Sequence, residues 1–155
     1  MLKVGDKAPA FTAPDQNDKT VTLAGFKGKW IVLYFYPKDN TPGCTTEACE
    51  FTAQKADFSG LDAVVVGVSP DSTGSHRGFI EKQKLGLTLL ADPDHKLLEA
   101  YDAWQKKSMY GKEYMGVQRS TFLIDPAGKI AQVWSKVNVA GHVAEVKARL
   151  AELRA

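Results

Sequence analysis

The chain has little of what usually places a protein at first sight. It contains only two cysteines in 155 residues, which excludes a disulfide framework; a reducing compartment would also keep an ordinary pair reduced. It has no stretch of about 18 consecutive apolar residues, and its start, Met1 to Pro9, holds no apolar run of signal-peptide length. It has no excess of one charge, with 20 Lys and Arg against 18 Asp and Glu, so neither nucleic acid nor a membrane surface is expected as partner. The histidines His76, His95 and His142 stand in separate segments, and there is no second cysteine pair, so no metal site is expected; surface or capping positions are. No dinucleotide-type glycine motif accompanies Trp30, Trp104, Trp134 or the Tyr34/Tyr36 pair, which are assigned to packing, and no bound cofactor is expected. Repeats and long Pro/Gly/Ser linkers are absent. These absences leave a single cytoplasmic domain over residues 1–155, whose 44% hydrophobic content is enough for a core.

What is present is an alternation of strand and helix signals. Trp30 to Tyr36 is a continuous β-branched and aromatic run between Gly28-Lys29 and Pro37, the pattern of a strand buried on both faces. After a turn-like stretch, Cys44 to Phe58 reads as a helix stopped at Gly60. Leu61 to Ser69 repeats the buried-strand pattern, and Ser75 to Lys84 reads as a helix ending near Gly86. Thr88 to Ala91 predicts a short strand, and Asp94 is the expected cap of a helix over Lys96 to Tyr101. Ser120 to Asp125 and Lys129 to Ser135 flank Pro126-Ala127-Gly128 as a hairpin, and an amphipathic helix runs from about Val139 to Leu153. The order predicts an α/β fold, a central mixed sheet with helices on both faces, in a thioredoxin-like arrangement with Phe11 to Leu23 as an added N-terminal β-hairpin. Gly111 to Gly116, with Tyr110, Tyr114 and Met115, is expected to pack beside the site, or else to bind a partner.

The informative position is Cys44, which follows a Pro/Gly loop and opens a helix just beyond a buried strand. Unpaired N–H groups and the positive end of the helix dipole favour a thiolate there. A thiolate is the nucleophile that attacks a peroxide oxygen, and Thr41 is placed so that its hydroxyl could bond to the sulfur and orient the O–O bond. Cys49, five residues on, excludes the C-x-x-C spacing of dithiol oxidoreductases. It is the one other thiol that could condense with a sulfenic acid on Cys44 and protect it from further oxidation.

Pro37-x-x-x-Thr41-x-x-Cys44 resembles the peroxiredoxin active-site motif, and Thr41-Pro42-Gly43-Cys44-Thr45 with Cys49 resembles the bacterioferritin comigratory protein, or peroxiredoxin Q, branch. The likeness extends over Gly5 to Phe11, Leu89 to Pro93 and Arg119 to Asp125. It implies a thioredoxin-like fold, an active-site loop carrying Pro37, Thr41 and Cys44, and Arg119 as the arginine that stabilises the thiolate and polarises the peroxide. It further implies hydroperoxides as substrates and thioredoxin or a related dithiol protein as reductant, in a monomer or weak homodimer. Two alternatives remain at this stage: a thioredoxin-like disulfide reductase, and a non-enzymatic redox sensor in which oxidised Cys44 alters a partner surface. Helix geometry adds one expectation, that Cys44 and Cys49 cannot bond while the residues between them stay helical.

Overall fold

The computed structural model describes residues 2–155. Its centre is a five-stranded sheet. The strand Trp30–Phe35 (β3) pairs in parallel with Ala63–Ser69 (β4), which pairs in parallel with Thr88–Ala91 (β5). On its other side β3 pairs antiparallel with Ser120–Ile124 (β8), which forms a hairpin with Ile130–Trp134 (β9). The order is therefore β5-β4-β3-β8-β9, the mixed sheet expected from the sequence. The N-terminal hairpin is Thr12–Pro14 (β1) against Thr20–Thr22 (β2).

Side chains of β3 alternate between two cores, as strand geometry requires. Ile31, Leu33 and Phe35 join Phe11, Leu98, Tyr101 and Phe122 on one face. Val32, Tyr34 and Tyr36 join Phe51, Phe58, Phe79, Val146 and Leu150 on the other. The second face carries the helices Pro42–Ala53 (α1), Lys55–Gly60 (α2), Thr73–Gln83 (α3) and His142–Arg154 (α5); the short helix Lys96–Ala100 (α4) and the N-terminal hairpin cover the first. Gly67 sits opposite Tyr34 in the β3/β4 pairing, and a Cβ there would lie 2.7 Å from the Tyr34 ring. Only glycine leaves room for that ring. None of the helices among the described residues is long and apolar enough to cross a membrane.

The structure corrects several boundaries. The helix expected from Cys44 to Phe58 begins at Pro42, since proline suits the first helical position, and it breaks at Gln54, where φ −99° and ψ 9° separate α1 from α2. The cap of α4 is not Asp94. The Asp92 carboxylate accepts the N–H groups of Leu97 and Leu98 at 3.2 and 2.7 Å instead. Helix α5 starts at His142 rather than Val139, because Gly141 at φ +74° is outside helical backbone space. Two strands were not foreseen: Trp104–Met109 (β6) and Lys112–Val117 (β7) form a hairpin turning at Tyr110-Gly111, both with positive φ. Its tip does not pack inward, for Tyr110 is 98% exposed and Met109, Tyr114 and Met115 are exposed as well.

Candidate active site

The site lies where β3 ends. Tyr36 still donates its N–H to Val68 O, but Pro37, which has no N–H, turns the chain out to the surface. Loop residues 37–41 then lead into α1. The first bond in that helix runs from Thr45 N to Thr41 O at 2.8 Å, so the N–H groups of Gly43 and Cys44 precede the ladder at the positive end of the dipole. Cys44 is the third residue of α1 and is 2% exposed.

Arg119 reaches this sulfur from the connection between β7 and β8. Its Nη2 donates to Cys44 Sγ at 3.2 Å and its Nη1 donates to Glu47 Oε1 at 2.6 Å. The planar guanidinium thus spans two residues three apart on one helix face. Gly43 gives it clearance, since a Cβ there would lie 3.4 Å from Nη2. The Arg119 backbone is fixed in turn by the Val137 N–H, which donates to its carbonyl at 2.9 Å.

Glu47 was not singled out by the sequence, although the i, i+3 spacing from Cys44 was a signal. It is fully buried, and burial pushes its carboxyl up to about 7 against the attraction of Arg119, with Glu50 adding to the rise. Burial also opposes the charge of Arg119, but the neighbouring Glu47 and Cys44 outweigh it and raise the arginine further. Glu47 Oε2 and the Tyr34 hydroxyl are the buried side-chain oxygens without a hydrogen-bond partner among the described residues.

The other expected residues fall nearby with differences. Thr41 is the cap residue of α1, but its hydroxyl donates to Lys38 O at 2.8 Å and makes no bond to the Cys44 sulfur. Cys49 lies further along α1, half-buried against the helical-side core, and both thiols are free. Two of the histidines expected at the surface are buried: His76 lies against Asp39, and His142 bonds Thr121 Oγ1 at 2.8 Å. Only His95 is accessible, stacked on Trp104 at a ring distance of 3.8 Å. An apolar groove of about 490 Å³ lined by Pro9, Leu23, Phe26, Ile31 and Ile124 lies at the other end of β3 and β8 and holds none of these reactive groups.

Comparison with known proteins agrees with this geometry. The sequence profile of the AhpC/TSA family matches residues 4–133. Peroxiredoxin Bcp of Bacillus subtilis is 52% identical over 152 residues, covering 98% of this chain and 97% of that protein. The crystal structure of a cysteine-to-serine mutant of Xylella fastidiosa PrxQ superposes with a TM-score of 0.95 at 38% identity, over 100% of this chain and 99% of that one. The bacterioferritin comigratory protein of Xanthomonas campestris, studied for alkyl peroxide reduction, superposes with a TM-score of 0.90 at 42% identity, over 94% and 92%.

Proposed function

The chain belongs to the AhpC/TSA family, in its Bcp/PrxQ peroxiredoxin branch, and is a thiol peroxidase; from that premise we propose which residues carry the reaction. Cys44 is the nucleophile. Its thiolate attacks the terminal oxygen of a hydroperoxide, the O–O bond breaks, and the departing alkoxide or hydroxide takes a proton to leave as alcohol or water. The sulfur is then a sulfenic acid. Cys49 attacks it through its own thiolate, forming the disulfide and expelling hydroxide, which is protonated to water.

The observation that carries this reading is the Arg119 guanidinium at 3.2 Å from a sulfur at the start of α1. A fixed cation there stabilises the thiolate, and the same fork donates to the peroxide oxygens as charge develops on them. With its proton committed to Lys38 O, Thr41 Oγ1 is free to accept the O–H of the hydroperoxide and so line up the O–O bond with the sulfur. Pro37 ends the strand and starts the loop that presents these groups.

The enzyme needs a thiol reductant; we assign that role to thioredoxin or a related dithiol protein, and hydrogen peroxide and alkyl hydroperoxides as substrates. We place it in the cytoplasm, as a monomer or weak homodimer. The test is NADPH consumption coupled through thioredoxin and its reductase, with hydrogen peroxide and an alkyl hydroperoxide in turn. Both should turn over with the native chain, and Cys44→Ser should abolish the activity at any reductant concentration, because a serine hydroxyl is not ionised near neutral pH. Residual turnover above background would remove Cys44 as the nucleophile.

A further inference from the structure

Beside the reactive cysteine lies a second buried polar cluster that the reaction above does not use. Asp39, 4% exposed, stands in the active-site loop, and His76, fully buried, stands on α3. The Asp39 carboxylate accepts the Tyr36 hydroxyl at 2.6 Å and the Ser75 hydroxyl at 2.8 Å, and its Oδ2 lies 2.7 Å from His76 Nδ1. Its backbone N–H donates to Asp71 Oδ2 at 2.8 Å, and that oxygen is fixed by the Ser69 hydroxyl at 2.7 Å. One loop residue is thereby tied to the end of β3, the end of β4 and the start of α3.

The other ring nitrogen of His76, Nε2, is 3.0 Å from Leu90 O. Both nitrogens therefore face acceptors. Each ring nitrogen is thus held by a partner that is itself fixed in the fold. Around the ring stand the Asp39 carboxylate, the Tyr36 hydroxyl at 3.4 Å and the Leu90 carbonyl from β5, with the Asp71 carboxylate within 4.8 Å. The metal-ligating atoms of Asp39, Asp71 and His76 lie within 4.8 Å of one another, but they are engaged by hydrogen bonds within the protein: Asp39 Oδ2 with His76 Nδ1, and Asp71 Oδ2 with the Asp39 N–H and the Ser69 hydroxyl.

The position of this pair on the chain gives it a consequence. Asn40, with φ +63°, follows the anchored Asp39 and leads directly to Thr41 and Pro42. Asp39 is anchored on one side of Asn40; from Thr41 onward lies the segment that carries the chemistry. We propose that the buried Asp39–His76 pair is the positioning element of the peroxide step and the fixed pivot about which the first turn of α1 unwinds and returns. It acts through the loop, not on the substrate: it sets where Thr41 and Cys44 stand when the peroxide arrives, and it has no part in bonding Cys49 to the sulfenic acid.

The inference rests on Cys44 as the peroxide-reacting thiol, and the experiment keeps the two apart. Stopped-flow mixing of the reduced protein with hydrogen peroxide separates oxidation of Cys44 from the later disulfide step. In His76→Gln, and separately in Asp39→Asn, the second-order peroxide step should slow by on the order of tenfold or more, the scale expected when a reacting group is displaced by a fraction of an ångström. The sulfenic-acid-to-disulfide step should keep its rate or quicken. Equal slowing of both steps, or a peroxide step at the native rate, would overturn the proposal, whereas a native protein whose Cys44 does not react with peroxide would overturn the reading beneath it.

Discussion

Oxidation to the Cys44–Cys49 disulfide must destroy the beginning of α1. The two residues sit on one continuous helix, and residues five apart on an ideal helix are rotated by about 140° and separated by about 7.5 Å along the axis. Their Cα atoms then stand roughly 8.7 Å apart, whereas a disulfide spans Cα separations of at most about 7 Å. Closing the gap also lifts a 2%-exposed sulfur out of its core, breaks its 3.2 Å contact with Arg119 and withdraws Glu47 from the same guanidinium. Hydrogen–deuterium exchange across Thr45 to Phe51 reads this directly. Losing about three ladder bonds at about 1 kcal/mol each corresponds to roughly a hundredfold faster exchange, so the segment should be at least that much less protected in the disulfide form than in the dithiol form. Helix α3 and strand β4 should show little change. Equal protection of Thr45 to Phe51 in both forms would refute the unwinding argument outright.

Cys49→Ser should leave the first oxidation of Cys44 nearly intact but stall recycling; mass spectrometry should find sulfenic and then sulfinic acid on Cys44 under excess peroxide, and normal thioredoxin-linked turnover would remove Cys49 from the reaction. Arg119→Met removes a charge-assisted bond worth about 1.5–3 kcal/mol, which is roughly 10- to 100-fold in the peroxide step. If raising the pH restores the full rate, Arg119 only favours ionisation and does not act on the peroxide. Glu47 provides a pH dependence of known sign. Its carboxyl is held at about 7 in the fold against an ordinary 4.5, so the folded chain keeps a proton that the unfolded chain gives up. That contribution is fully present below pH 4.5 and is lost as the pH rises through 7, by about 3 kcal/mol. Chemical denaturation of the native chain and of Glu47→Gln at pH 5 and pH 8 should show this difference only in the native chain, and parallel behaviour would count against the buried, protonated carboxyl.

Much of the frame is legible in local patterns. The run from Trp30 to Tyr36 announces a strand between two cores, and Pro42-Gly43-Cys44 announces a helix start carrying a thiol. What was not legible depends on tertiary context. Hairpin β6–β7 is rich in Lys, Glu and Gln and turns at Tyr-Gly rather than Asn-Gly, so neither its alternation nor its turn stands out. Asp92 and Asp94 are chemically the same and both precede α4; only the path of the chain at His95, with φ +62°, decides which reaches its N–H groups. The Asp39–His76 pair joins residues 37 apart, and nothing in either segment alone marks the histidine as buried. Arg119 reaches Cys44 across 75 residues, and the family likeness, not spacing, singled it out.

The carboxyl of Glu47 stands between the two cysteines, in the stretch that must unwind. In the dithiol form it is buried and protonated up to about pH 7; once the turn opens it meets water and becomes an ordinary acid. Electron transfer in this protein is therefore coupled to one proton more than the cysteines themselves take up. For a two-electron couple each proton shifts the midpoint potential by about 30 mV per pH unit. Between about pH 4.5 and 7 the potential of the disulfide should accordingly fall with pH more steeply, by about 30 mV per pH unit, than it does above pH 7. Acidification would make the oxidised enzyme disproportionately easy to reduce.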